Sequence, residues 1–155
     1  MQLTKQHVLD FLKTNKLMQV ATMGDFPWIA TVYYSFDNEL NLYFLSSDKT
    51  LHVKQIKKNP KVSIAIADSH QDINKPKKGL QISGLAEEVS GVEKIKHALS
   101  LWKDFLSVNN PKLTYENMKK GLTGKIYKIT PKRIKLFDQE LFKDADDGEE
   151  PVLEL

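Results

Sequence analysis

The sequence predicts a mainly β domain in which six or seven antiparallel strands curl into a closed or split barrel with peripheral helices. Three observations favour this fold class. Apolar and β-branched residues alternate over seven short segments, as half-buried strands require. The connections between the first three segments are too short for a parallel crossover. Helical spacing replaces the alternation at three places, which is more than an open sandwich normally accommodates.

The first half of the chain predicts one helix and three strands joined by tight turns. Thr4 can cap a helix, because apolar residues then recur at near-helical spacing. Gly24 and Pro27 predict a turn, since glycine permits positive φ and proline cannot donate to a central ladder. Asp37 and Asn38 predict the next turn. The expected elements are a helix over residues 4–14 and strands over residues 17–22, 28–34 and 40–45.

The second half predicts alternating strands and helices. A helix over residues 50–58, capped by Asp48 or Thr50, ends where proline follows asparagine. A polar, lysine-rich loop fills residues 68–78, and Gly84 predicts a bend or bulge in the strand that follows. Thr130 and Pro131 predict a turn between two last strands. The other expected elements are strands over residues 61–67, 80–89, 125–129 and 133–137 and helices over residues 91–106 and 114–122.

The charge distribution divides the chain into a basic domain and an acidic tail. The 155 residues suffice for one domain, which we assign to residues 1–143. Residues 144–155 hold six acidic and no basic residues, and we expect this tail to be mobile. The lysines of the basic domain are spread out and lack interleaved aromatic residues, so nucleic-acid binding is not expected.

The composition excludes several classes of chemistry. The chain contains no cysteine, which excludes disulfides, thiolate metal sites, iron–sulfur clusters and cysteine nucleophiles. Its four histidines lie far apart on different predicted elements, so no metal site is predicted. Neither an apolar stretch of a signal peptide, roughly 7–15 residues, nor a membrane span of about 20 residues is present. We therefore expect a cytoplasmic protein.

A polar segment after the third strand is a candidate anion site. The strand ends at Ser46, and the next helix begins after a short loop. A helix N-terminus presents unpaired amides and a partial positive charge, both of which suit a phosphate. The hydroxyls of Ser46 and Thr50 can donate to the same anion. Basic side chains that could supply charge are those of Lys49, His52 and Lys54. In the alternative interpretation, Asp48 or Thr50 only caps the helix.

The order of these segments resembles the pyridoxamine 5'-phosphate oxidase-like split β-barrels, which bind flavin mononucleotide (FMN). The likeness covers about residues 4–137, and it includes a barrel-wall strand in which Gly84 precedes Ala86-Glu87. It is greatest for a bacterial subgroup with the pattern A-x-x-x-Y-x-F-D followed by K-T-x-H. Those two patterns are found here over residues 30–37 and 49–52.

The resemblance implies an FMN-dependent oxidoreductase that acts on a small molecule. FMN would lie in a groove between the two subunits of a homodimer. Thr31, Val32 and Tyr33 would line the isoalloxazine edge, although alternation places Val32 on the opposite side of the strand from the other two. Ser46 would contact the ribityl chain or the phosphate, which Thr50 and His52 would also bind. The cofactor-binding residues implied in this way are Thr31, Val32, Tyr33, Ser46, Lys49, Thr50 and His52. No catalytic residue is assigned.

The sequence also departs from the family pattern. Relatives active on vitamin B6 have Ser-Arg-Lys where this chain has Thr50-Leu51-His52, and an arginine near the position of Ile29. Leucine cannot replace the bidentate fork of arginine, and each lost charge-assisted hydrogen bond costs roughly 1.5–3 kcal/mol. We therefore do not expect true pyridoxamine-phosphate oxidase activity. The alternative function is a non-catalytic binding or sensing module for haem, a deazaflavin or another anion.

Overall fold

The computed structural model describes residues 1–144 and 151–155. In these residues, eight antiparallel strands form one curled sheet in the order β2-β1-β5-β6-β7-β4-β3, with β8 also paired to β7. This architecture confirms the predicted fold class, a split β-barrel with peripheral helices. The elements are α1 (Lys5–Leu12), β1 (Leu17–Met23), β2 (Pro27–Tyr33), β3 (Ser35–Phe36), β4 (Leu42–Ser46), α2 (Leu51–Lys58), β5 (Lys61–Ile66), β6 (Lys78–Glu88), α3 (Val92–Leu106), α4 (Tyr115–Lys119), β7 (Lys125–Asp138) and β8 (Val152–Glu154).

Helix α1 starts where the sequence predicts, because its cap is local. The Thr4 side chain accepts from the backbone of His7, and the His7 side chain accepts from the backbone of Thr4, which completes a capping box. The apolar face of α1 is buried in the core. The hydroxyl of Tyr34 donates to the carbonyl of Leu12 at 2.8 Å, so the end of α1 is joined to the corner after β2.

The edge strand β2 is exposed along most of its length. Its register with β1 pairs Tyr33 with Leu17 and Pro27 with Met23. Every second residue of β1 is buried, whereas no residue of β2 is fully buried. The sheet therefore ends in a strand that has an open backbone edge and exposed apolar side chains.

The prediction of two final strands around Thr130 and Pro131 is wrong. The structure has a single strand, β7, which pairs with the whole of β6. The register shifts where Gly84 faces Pro131 and Ser83 faces Arg133, so Lys132 is the extra residue of a β-bulge. Proline is compatible with a bulge because the ladder is interrupted there and needs no amide donor.

The end of the chain adds a strand to the same sheet. Residues 152–154, which belong to the predicted tail, form β8 and pair with β7. Glu154 accepts from the guanidinium of Arg133, its direct partner in the register. Residues 145–150 lie outside the described residues, and the mobility of the tail stays a prediction.

Two hydrophobic clusters pack against the curled sheet. The larger one fills the barrel and includes α1, α2 and the inward residues of the long strands. The smaller one lies between the sheet and α3 and α4, around Leu99, Met118 and Ile126. No helix in the part of the chain that the structure describes is long and apolar enough to cross a membrane.

Candidate functional site

Three of the predicted site residues meet where β4 ends and α2 begins. The hydroxyl oxygen of Ser46 lies 2.7 Å from Nε2 of His52 and 3.5 Å from the hydroxyl oxygen of Thr50. Thr50 Oγ1 lies 3.3 Å from the same imidazole nitrogen. We call these three residues the hydroxyl–imidazole cluster. It places two hydroxyls and one imidazole at the N-terminus of a helix, where anions are stabilised.

Thr50, and not Asp48, caps helix α2. Its hydroxyl accepts from the backbone N–H of Val53 at 3.4 Å and donates to the carbonyl of Ser47 at 2.8 Å. Of the two candidate caps, Thr50 is therefore the one that begins α2. A hydroxyl oxygen can accept two hydrogen bonds but donates only one, so Thr50 would have to release Ser47 in order to donate to an anion.

His52 is a buried imidazole. Only 8% of its surface is exposed, and its ring centroid lies 6.3 Å from that of Phe44. Burial lowers the pKa of His52 below its usual value, because the low-dielectric surroundings disfavour the charged form. The free protein therefore holds a neutral imidazole here at neutral pH, and a hydrogen bond joins its Nε2 to the Ser46 hydroxyl.

The lysines near the cluster lie at the surface. Lys49, in the loop before α2, and Lys54, on α2, are both exposed. The Lys49 backbone N–H donates to the hydroxyl of Ser47 at 3.2 Å. On the neighbouring strands, Lys125 forms a 3.1 Å ion pair with Glu88. His52 is thus the buried basic residue of this site.

Tyr127, which sequence reasoning missed, lies beside Phe44, the residue whose ring is next to that of His52. Its ring stacks on that of Phe44 with centroids 5.3 Å apart, and its side chain is fully buried. Its hydroxyl has no hydrogen-bond partner among the described residues. Burial, followed by the charges of Glu88 and Asp48, raises the pKa of Tyr127 to about 12. Alternation could have placed Tyr127 inside the barrel, but its position beside Phe44 depends on the pairing of β7 with β4.

The three predicted residues on β2 are not hydrogen-bonded to the cluster among the residues that the structure describes. Thr31 and Tyr33 are exposed, and Val32 packs partly against the core, as the alternation predicts. No hydrogen bond between described residues joins them to the hydroxyl–imidazole cluster. Their assignment to the isoalloxazine therefore stays a prediction.

Gln55 connects α2 to the hairpin that carries β2. Its Oε1 accepts from the hydroxyl of Thr22 at 2.6 Å, and its Nε2 donates to the carbonyl of Phe26 at 3.4 Å. A Cβ atom on Gly24 would lie 2.6 Å from that amide nitrogen, so the hairpin turn approaches Gln55 closely. This contact fixes the position of the β1–β2 hairpin relative to the start of α2.

The outer face of the sheet carries a shallow groove of about 450 Å³. The groove crosses β1, β5 and β6 and is also lined by two cations of β7, Arg133 and Lys135. Its uncharged polar and small lining residues are Gln19, Ala21, Ser63, Ala65, Gln81 and Ser83. On the adjacent β2, Ile29 is 60% exposed and Tyr33 is 55% exposed. Exposed apolar residues beside a groove that is rimmed by polar and charged side chains are typical of an interface.

Comparison with known proteins places this geometry in a family. Residues 4–137 match the family model described as Pyridoxamine 5'-phosphate oxidase. Among curated proteins, a UPF0306 protein from Pasteurella multocida is 35% identical over 60 residues, which are 37% of this chain and 40% of that protein. The match thus spans less than half the length of the curated relative.

Solved structures share the fold at low sequence identity. A haem-binding protein from Mycobacterium smegmatis matches with a TM-score of 0.73 and 16% identity, over 99% of this chain and 59% of that chain. An FAD-binding protein from Mesorhizobium loti matches with a TM-score of 0.66 and 18% identity, over 86% and 92% of the two chains. Together with the family match over residues 4–137, this fold shows that the chain belongs to the pyridoxamine 5'-phosphate oxidase family of split β-barrels.

Proposed function

We propose that the protein is an FMN-binding, homodimeric oxidoreductase that acts on a small molecule. The observation that carries this proposal is the convergence of Ser46, Thr50 and His52 at the N-terminus of α2, within 3.5 Å of one another. Family membership supports a flavin as the cofactor, and one structural relative is an FAD-binding protein. The cytoplasmic location expected from the sequence is part of the same proposal.

The residues at the start of α2 fit a flavin phosphate. The helix supplies unpaired amides, the cluster supplies two hydroxyls, of which that of Thr50 would release the Ser47 carbonyl, and Lys49 adds a positive charge at the surface. Tyr127 adds a buried hydroxyl that has no partner among the described residues. An anionic group is the ligand that this set of donors suits best.

The open edge of β2 suits the planar part of the cofactor. Because β2 is the last strand of the sheet, one edge of its backbone has no strand partner. We assign contacts with the isoalloxazine ring to the backbone and side chains of Thr31, Val32 and Tyr33. The Gln55 contacts to the hairpin would hold this strand at a constant distance from the phosphate end.

The outer groove supports the homodimer. A two-fold axis brings the same face of both subunits together, and small uncharged side chains allow two sheets to approach closely. The exposed Ile29 and Tyr33 would be buried in such a contact. A stable interface of this type buries roughly 1,200–2,000 Å² of surface. The flavin would then lie at the margin of this interface.

In this proposal the flavin supplies hydride or electron transfer, while the protein binds and orients it. The chain's own residues hold the phosphate, present the edge of β2 and exclude water through dimerisation. Leu51 and His52 stand where vitamin B6-active relatives have arginine and lysine, so the substrate is not expected to be pyridoxamine phosphate. No residue is assigned as a general acid or base.

Titration of the purified protein with FMN tests this proposal. We expect a yellow protein, or a saturable change in flavin absorbance, and we expect Thr50→Ala and His52→Ala to weaken binding at least tenfold. Thr114→Ala is the matched control for Thr50, because Thr114 caps α4 in the same way. A colourless protein that gives no saturable signal with FMN would contradict the proposal.

The second candidate is a non-catalytic module that binds haem, a deazaflavin or another anion. One structural relative is a haem-binding protein, and this chain lacks the arginines typical of vitamin B6-active members. Parallel titrations with haemin and a deazaflavin separate the two candidates. Saturable binding of either, without FMN binding, would favour the module.

A further inference from the structure

We propose that FMN binding at this site takes up a proton, which His52 carries as the counter-charge of the flavin phosphate. This inference rests on the proposed FMN function and adds the source of the positive charge. It also gives a reason why an imidazole can stand where vitamin B6-active relatives have lysine.

His52 lies at the start of α2, beside both hydroxyls of the cluster. Its Nε2 lies 2.7 Å from Ser46 Oγ and 3.3 Å from Thr50 Oγ1, and both hydroxyls belong to the residues that line the start of α2. By contrast, Leu51 is 46% exposed and carries no charge. The site therefore has a fixed imidazole where a phosphate group would need a cation.

The other charges near His52 do not replace it. The neighbouring strands β1 and β2 contain no Asp, Glu, Lys or Arg. Lys125 is already paired with Glu88, and Asp48 adds a negative charge to the loop. Besides His52, the titratable and charged groups of the loop, of α2, of β7 where it pairs with residues 44–46, and of the last residue of β6 are Asp48, Lys49, Lys54, Lys57, Lys58, Glu88, Lys125 and Tyr127, of which Lys57 and Lys58 lie exposed in the last turn of α2. The loop carries one exposed lysine and one aspartate, whose charges cancel. Protonation of His52 is therefore the direct way to give the site a net positive charge.

The free state of the site is neutral at His52. Burial lowers its pKa, so the imidazole carries no proton at pH values above neutrality. A phosphate dianion beside Nε2 has the opposite effect, because a nearby negative charge stabilises the imidazolium form. The free site and the phosphate-bound site therefore differ by one bound proton.

The phenol of Tyr127 is a second, independent indication of a ligand. It is fully buried, it lacks a hydrogen-bond partner among the described residues, and burial, followed by the charges of Glu88 and Asp48, raises its pKa. Buried donors without a partner are rare in native proteins. The Tyr127 ring stacks on that of Phe44, whose ring centroid lies 6.3 Å from that of His52, so this hydroxyl belongs to the same region of the barrel as the cluster.

The sign of the pH dependence follows from these charges. At about pH 8 the free imidazole is neutral and the flavin phosphate is a dianion, since phosphate monoesters lose their second proton near about pH 6. Binding then takes up about one proton, and affinity falls by up to about tenfold per pH unit as pH rises. Well below about pH 6 the phosphate already carries a proton, so the uptake disappears.

Calorimetric titration of the full chain with FMN measures this proton directly. The binding enthalpy is compared at about pH 8 in Tris and HEPES, whose ionisation enthalpies differ, and the difference gives the number of protons taken up. We expect about one proton for FMN and none for riboflavin, which lacks the phosphate. Inorganic phosphate is the third probe, and we expect its binding to be accompanied by uptake of a proton by the protein, as with FMN.

Two substitutions of His52 separate charge from shape. His52→Lys supplies a more permanent charge, so it should bind FMN with a flatter pH profile and without most of the proton uptake. His52→Gln keeps hydrogen-bonding capacity without a charge, so it should lose both the uptake and at least tenfold in affinity. His97→Gln is the matched control, because His97 is an exposed histidine on α3. Circular dichroism of each variant establishes that it is folded.

Each outcome has a separate meaning. FMN binding without proton uptake at about pH 8, or uptake that persists in His52→Gln, overturns this inference and leaves the proposed function intact. If FMN does not bind while inorganic phosphate binds with proton uptake, the proposed function fails and the role of His52 in anion binding stands. Absence of binding by both probes overturns both proposals.

Discussion

At the scale of single residues, the site combines buried polar groups that have partners with one that lacks a partner. Ser46, Thr50 and His52 satisfy one another, whereas the hydroxyl of Tyr127 has no partner among the described residues. A buried hydroxyl without a partner costs about 1–3 kcal/mol of desolvation. The barrel thus contains a local cost to stability at the place where we propose that the ligand binds.

Tyr127→Phe should therefore leave the free protein as stable as before, or increase its free energy of unfolding by up to about 1 kcal/mol. Tyr34→Phe is the matched control, because the Tyr34 hydroxyl donates to the carbonyl of Leu12 at 2.8 Å. That control should lose about 1–2 kcal/mol, since it leaves a buried carbonyl unpaired. Urea denaturation measures both values. A greater loss for Tyr127→Phe than for Tyr34→Phe would mean that the Tyr127 hydroxyl has a partner.

At the scale of elements, the caps and turns encoded locally could be predicted, and the long-range pairings could not. Thr4 and Thr50 begin their helices as expected, because the cap and its partner are three residues apart. The prediction of a turn at Pro131 is wrong, because proline also occurs in bulges. Only the pairing of this segment with Gly84 distinguishes a bulge from a turn. Ser46, Thr50 and His52 are close in sequence, so their proximity could be predicted. The position of Tyr127 depends on the long-range pairing of β7 with β4 and could not be predicted.

The bulge gives a prediction for this element. A Cβ atom on Gly84 would lie 2.5 Å from the carbonyl oxygen of Thr130, which is backbone and cannot easily move. Gly84→Ala should therefore lower the free energy of unfolding by about 1–3 kcal/mol, measured by urea denaturation. Ser83→Ala, at an exposed neighbouring position, should change it by less than about 0.5 kcal/mol. Equal effects of the two substitutions would contradict the close approach of β6 and β7.

At the scale of the whole molecule, the outer groove of the sheet is explained best by a second copy of the chain. Ala65 lies on this face between Gln19 of β1 and Gln81 of β6. Alternation of exposed and buried residues along β5 shows that the same strand covers the barrel interior with its other side. The face could be predicted from this alternation, but its extent could not, because the strand order is a long-range property.

Ala65→Arg should convert the proposed dimer into a monomer, because a long side chain at the centre of a close sheet contact keeps the two faces apart and adds a cation to a groove that Arg133 and Lys135 already line. Light scattering coupled to gel filtration measures the mass. Ser100→Arg, on the exposed surface of α3, should remain dimeric. FMN affinity should fall together with dimerisation if the flavin lies between the subunits. A wild-type protein that is monomeric at micromolar concentration would exclude this arrangement.

The extra residue in β7 also changes which positions face the barrel interior. Tyr127, Ile129 and Pro131 are buried before Lys132, whereas Ile134 and Leu136 are buried after it. On β6 the buried residues from Leu80 to Ala86 keep one parity throughout, so the extra residue in β7 keeps the buried residues of the two strands opposite one another on both sides of the bulge. Without Lys132, Arg133 and Lys135 would exchange sides with their apolar neighbours. One inserted residue therefore keeps two cations at the surface while the strand continues unbroken.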